Sequence, residues 1–161
     1  VFIMQINRKR RIVLKGSLAA SALSIAAGTG LLIPRRVLAS WPEAAFGAKK
    51  VPEALQALLG GNDLETSADI KIKAPDIAEN GAVVPVTISS SMSGVESIAL
   101  LAANNPVPLV ANYKLGEGAE PFVSTRIKMG KSGDVIAVVK AGGKLYSANK
   151  GVKVTIGGCG G

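Results

Sequence analysis

Histidine is absent from the 161 residues and cysteine occurs once. The first absence removes Ser-His-Asp and Cys-His catalytic sets and Cys/His zinc fingers. The second removes an internal disulfide. Aromatic residues are scarce, with three Phe, two Tyr and one Trp. Because Phe2 and Trp41 stand near the start, the rest of the chain has no aromatic platform on which bases could stack. Alternation of strands with long helices is also missing, which excludes α/β folds and a Gly-rich phosphate loop feeding a helix. What the chain has in excess is positive charge, with 19 Lys and Arg against 11 Asp and Glu and a formal balance of +8.

That excess is confined to one end. Arg8, Lys9, Arg10, Arg11, Lys15, Arg35 and Arg36 precede Ser40, whereas every acidic residue, from Glu43 to Asp134, follows it. Residues 40–161 hold twelve basic and eleven acidic side chains, a balance of only +1. The basic stretch RKRRIVLK is followed by a modestly apolar stretch from Ser17 to Ile33, then Pro34 and Val37-Leu38-Ala39. This is the three-part layout of a secretory signal peptide. Arg10-Arg11 ahead of Val13-Leu14-Lys15 resembles the twin-arginine export signal, which implies a cargo exported folded to the periplasm. Gly28, Thr29 and Gly30 dilute the apolar stretch, and it falls short of the roughly 20 strongly apolar residues of a spanning helix. The expected organisation is a leader at 1–39, a domain at 40–156 and a C-terminal arm at 157–161. With the basic charge assigned to the leader, nucleic-acid binding loses its support.

The domain begins with a short helix: Pro52 suits its first turn, Val51, Leu55, Leu58 and Leu59 share a face, and Gly60-Gly61 ends it. From Ala68 the pattern shifts to short β-rich runs. These are Ala68–Lys73, Val83–Ser89, Val95–Ala102, Leu109–Leu115, Phe122–Met129, Val135–Lys140, Lys144–Ala148 and Val152–Ile156. The stretches between them contain Gly, Pro, Asn or Ser, the residues of chain reversal. Such spacing predicts an all-β fold, an immunoglobulin-like antiparallel β-sandwich, with a barrel as the alternative. Pro85 cannot donate to a ladder, so its strand is expected at an edge or with a bulge. Lys71, Lys73, Arg126, Lys128 and Lys153 are expected on solvated strand faces.

The last strand runs into Gly157-Gly158-Cys159-Gly160-Gly161. Free cysteine is usually buried as a small hydrophobe, but glycines offer it nothing to pack against and have the largest backbone freedom to lose. The expected state is an exposed thiol on a flexible tether made of Gly157, Gly158, Gly160 and Gly161. Five extended residues reach roughly 17 Å, enough to enter a narrow channel in another protein. No histidine can take the proton of Cys159, and Lys150 and Lys153 are the nearest cations. Reactivity therefore has to come from a partner's pocket, which suits a covalent carrier better than an enzyme. The composition leaves open an exported interaction module with an incidental thiol. No catalytic residue, metal ligand set or cofactor site is expected.

The tail VKVTIGGCGG, Val152–Gly161, resembles the C-terminus of the SoxY family, the sulfur carriers of periplasmic thiosulfate oxidation. Ala54–Gly61, Ala78–Val86, Asn105–Pro108 and Val123–Lys128 are similar to further segments of that family. The resemblance implies that the sulfur of Cys159 holds pathway intermediates covalently. A haem enzyme would couple thiosulfate to the thiol, a hydrolase would release sulfate, and in some organisms a sulfur dehydrogenase would oxidise the remaining sulfane. It also implies a heterodimer with SoxZ, a second small β-sandwich protein exported together with it, and no stable membrane anchor.

Overall fold

The structure, a computed structural model, describes residues 42–156. The leader expected at 1–39 and the arm expected at 157–161 lie outside the described residues. Among the described residues two helices come first, α1 (Glu43–Gly47) and α2 (Val51–Leu59). The second is the helix predicted from the sequence. The first, at five residues, is too short to show a period. Glu53 lies in the first turn of α2, where a carboxylate suits the positive end of the helix dipole. Gly60 closes the helix in the left-handed conformation at φ 79°, its N–H donating to the Gln56 carbonyl.

Nine strands follow: β1 (Leu64–Thr66), β2 (Ile70–Lys73), β3 (Ile77–Asn80), β4 (Val84–Ser90), β5 (Val95–Ala102), β6 (Leu109–Lys114), β7 (Phe122–Ile127), β8 (Gly133–Ala141) and β9 (Lys144–Ile156). They form two sheets. The larger has the order β1-β9-β8-β5-β6 with β3 also paired to β9, and the smaller has the order β2-β4-β7. The main core lies between them. Val84, Val86 and Ile88 of β4 pack there with Ile98 and Leu100 of β5 and Val135, Ala137 and Val139 of β8. The opposite face of the large sheet is covered too, because Ala99, Leu101 and Val138 pack against Ala45, Ala54 and Leu55 of the two helices. With both faces buried, β5 loses its alternation: it is buried continuously from Ser97 and apolar from Ile98 to Ala102.

The two-sheet, mostly β architecture with an N-terminal helix agrees with the sequence, and the structure adds detail. The ladders are antiparallel except for β1 and β3, which run parallel to β9. Neither strand exceeds four residues, so neither shows a legible alternation. Glu79 and Asn80, which read as turn residues, belong to β3. Lys144–Ala148 and Val152–Ile156 are one strand of 13 residues. Its Asn149, Lys150 and Gly151 pair with Ile136, Val135 and Asp134 of β8, so the neighbouring ladder overrides their turn preference. The real reversal is Gly142-Gly143, with φ of 57° and 76°, the paired positive values of a two-residue hairpin turn. Pro85 is a correction, for its strand is the middle one of the small sheet. It is tolerated because β2 reaches only to Thr87, leaving residues 84–86 paired with β7 alone.

Candidate functional site: the root of the C-terminal arm

Cys159 and Gly157, Gly158, Gly160 and Gly161, the site residues read from the sequence, lie outside the described residues. The structure describes the strand that presents them, up to Ile156. The last pair between β8 and β9 is Gly133 with Val152, so the four residues from Lys153 to Ile156 need other partners for their backbone groups. On one edge β3 supplies them in a parallel register, Ile77 with Lys153, Ala78 with Val154 and Asn80 with Ile156. The Lys153 N–H donates to the Asp76 carbonyl at 2.9 Å, and the Gly81 N–H donates to the Ile156 carbonyl at 2.8 Å. The Thr155 hydroxyl donates to the Glu79 carbonyl at 3.0 Å.

On the other edge a side chain replaces the missing strand. The Val154 N–H donates to Ser132 Oγ at 2.8 Å, and the same hydroxyl donates to the Val154 carbonyl at 3.3 Å. Ser132 is itself fixed in place. Asn104 Nδ2 donates to the Ser132 carbonyl at 2.7 Å, while Asn105 accepts from the Gly130 N–H at 2.9 Å and donates to the Lys128 carbonyl at 2.7 Å. Gly133 makes this approach possible, since a Cβ there would lie 2.6 Å from Asn104 Nδ2 and 2.9 Å from its Cγ. The final stretch of β9 is thus held on both edges.

Nothing in this mount resembles a catalytic centre. Among the described residues no group of three His, Cys, Asp or Glu side chains could hold a metal ion. The nearby group with a displaced titration is Asp76, whose carboxyl is held below the usual carboxylate value by its hydrogen bond from Lys150 and then by that cation's charge. Ser132, Asn104 and Asn105 were legible only as loop residues, because no local signal says which distant strand such side chains will bond. Of the four exposed large hydrophobic side chains among the described residues, Ile77, Val83 and Ile156 sit on or beside these strands.

The described residues define a class by fold, a small two-sheet β-sandwich with an N-terminal helical layer whose last strand is held on both edges up to Ile156. The chain belongs to the SoxY family: the family described as Sulfur oxidation protein SoxY matches residues 55–159, from α2 to the cysteine of the tail. A similar solved structure is that of the sulfur carrier protein SoxY from Chlorobium limicola f thiosulfatophilum. It is 44% identical, with a TM-score of 0.61, over 66% of this chain and 97% of that one. A superoxide reductase (neelaredoxin) from Ignicoccus hospitalis aligns at 22% identity and a TM-score of 0.50, over 56% of this chain and 94% of that one, which is a likeness of fold alone. No curated protein matches the chain. No helix among the described residues is long and apolar enough to cross a membrane.

Proposed function

We propose that this chain is a periplasmic sulfur carrier of thiosulfate oxidation, exported folded through its twin-arginine-type leader, and that Cys159 is the covalent attachment point. The observation that carries the reading is the family match extending to Cys159, together with 44% identity to a solved sulfur carrier. The absence of histidine supports it, since a thiol without a local base has to be activated elsewhere.

In this reading the Cys159 thiol loses its proton and forms a bond to the outer sulfur of thiosulfate while a haem enzyme accepts two electrons. The product is a protein-bound S–S–SO3⁻ group. A hydrolase then adds water to the terminal sulfur and breaks its bond to the sulfane, releasing sulfate and two protons and leaving a persulfide on Cys159. Where a sulfur dehydrogenase operates, it oxidises that sulfane further. Gly157, Gly158, Gly160 and Gly161 act as the tether that carries the sulfur between these enzymes, and a SoxZ-like subunit is the standing partner.

Mass analysis of the protein from thiosulfate-grown cells tests the reading. The expected result is sulfur-bearing adducts on Cys159 that reductant removes, and a Cys159→Ser strain that does not oxidise thiosulfate. An unmodified Cys159, or full oxidation by the Ser strain, would overturn it in favour of an exported interaction module.

A further inference from the structure

The outward face of the small sheet has a composition unlike that of any other strand face in the described residues. Side chains alternate along β2, β4 and β7, so Ile70, Val84, Val86, Ile88, Val123 and Ile127 point into the core. The ladder then places the remaining residues in rows on the outside. Lys71, Ser89 and Phe122 form one row, Lys73, Thr87 and Ser124 the next, and Pro85 and Arg126 a third, with Lys128 just beyond the end of β7. The face holds four cations and no carboxylate within its ladders, with Asp69 just before β2 and Glu120 two residues before β7 at its border. The other described residues hold eight cations and eleven carboxylates, a balance of −3, so the charge is segregated although the total is nearly neutral.

Among the described residues the ion pairs Lys50–Glu53, Lys140–Glu96, Lys144–Glu65 and Lys150–Asp76 use cations other than Lys71, Lys73 and Arg126. Lys71, Lys73 and Arg126 are exposed on their strands, with no carboxylate partner among the described residues. Between them Thr87 Oγ1 and Ser124 Oγ lie 3.2 Å apart and form a flat hydroxyl bridge. Phe122, half exposed, stands at one end. The other end reaches the arm root through a single residue, because the Gly81 carbonyl accepts from the Met129 N–H while its own N–H donates to the Ile156 carbonyl.

We infer that this face, Lys71, Lys73, Arg126 and Lys128 around the Thr87–Ser124 bridge, docks an acidic protein surface on the enzymes that act on the arm. The inference rests on the carrier reading for who those enzymes are. Three strands and six residue steps span roughly 10 Å by 20 Å, well below the approximately 800 Å² per partner of a stable complex. Such a patch steers encounter rather than sealing an interface, and like-signed charge on a flat face acts mainly on the association rate. A carrier has to leave each enzyme as readily as it arrives, so a fast and weak contact suits it. A second copy of this chain fits poorly, because four of its eleven carboxylates are held in ion pairs and Asp69 accepts from Ser91. A lipid surface fits poorly as well, for one aromatic on a flat sheet offers little to insert.

The test uses the full chain against the hydrolase and the haem enzyme purified from the same thiosulfate-grown cells, with association and dissociation rates measured across a range of salt. Association is expected to fall steeply with salt and, at low salt, to drop roughly tenfold or more when Lys71, Lys73, Arg126 and Lys128 are all changed to Glu. The four changes to Gln should give an intermediate rate, with dissociation nearly unchanged in both sets. Cys159→Ser should associate as the parent does. Association that is independent of salt, or equal in parent and either folded variant, overturns the proposal. Binding of the parent to vesicles containing anionic phospholipid, lost in the Gln set, would reassign the face to a membrane, and salt-sensitive self-association lost in that set would reassign it to a second copy. Sulfur on Cys159 is read separately by mass, so a loaded cysteine with unchanged association sinks the docking face alone.

Discussion

The two sheets turn very different outer faces away from the shared core. The outer face of the large sheet is apolar, with Ala99, Leu101 and Val138 covered by α1 and α2. The outer face of the small sheet is cationic and exposed, with Lys71, Lys73 and Arg126 on it. Both obey the same alternation of side chains, so strand pattern alone does not separate them. The difference is whether a further layer exists to remove the face from water. Burial places stability in the helix-covered face and leaves the other free to change without loss of the fold.

The largest expected effect comes from breaking the covered face. Leu55 is 2% exposed and meets the large sheet from α2. Leu55→Ala is expected to cost about 2–5 kcal/mol in urea or thermal unfolding, from lost transfer energy and the cavity left behind. Lys73→Ala, on the opposite face, should stay within about 0.5 kcal/mol. Equal costs for the two substitutions would show that the helices contribute little and that the contrast between the faces has no energetic content.

A smaller effect is expected where β9 passes from ladder to side-chain support. Ser132→Ala removes the acceptor for the Val154 N–H and the donor to its carbonyl. The expected cost is about 1 kcal/mol, accompanied by faster amide exchange at Val154 and unchanged exchange at Leu100 in the core. Uniform acceleration at both positions would mean that the substitution loosens the whole sandwich rather than the arm root.

These contrasts were unevenly visible in the sequence. β5 was legible to the residue, Val95–Ala102, because Gly94 at φ 66° precedes it and turn residues follow. Cys159 stands out in the sequence because glycines flank it on both sides and the terminal motif resembles one family, but it lies outside the described residues. The mount below it was not legible. Ser132, Asn104 and Asn105 occupy ordinary loop positions, and their meaning depends on β9 outrunning β8 by four residues, a feature of tertiary register. β1 and β3 stayed hidden because parallel pairing joins segments far apart in sequence, each shorter than the period needed to detect it. The cationic face lay between these extremes. Sequence alone places its members one by one on solvated faces, but their clustering in ladders free of carboxylates appears only once β2, β4 and β7 are set side by side.

The smallest expected effect lies on the β3 side of the root and depends on pH. The Asp76 carboxyl is held below its usual value by the hydrogen bond from Lys150 and by that cation's charge. Because the folded value is depressed, the pair adds stability above the unfolded carboxylate value, and that stability is lost as pH falls through the lower folded value. Asp76→Asn should therefore melt slightly below the parent near neutrality, with the gap closing on acidification and narrowing in high salt, as the carboxylate is exposed. The backbone carbonyl of residue 76 still accepts from the Lys153 N–H in either variant, so the register of β3 on β9 serves as an internal control. A gap that stayed constant on acidification would assign the loss to that backbone register, which does not titrate, instead of to the ion pair.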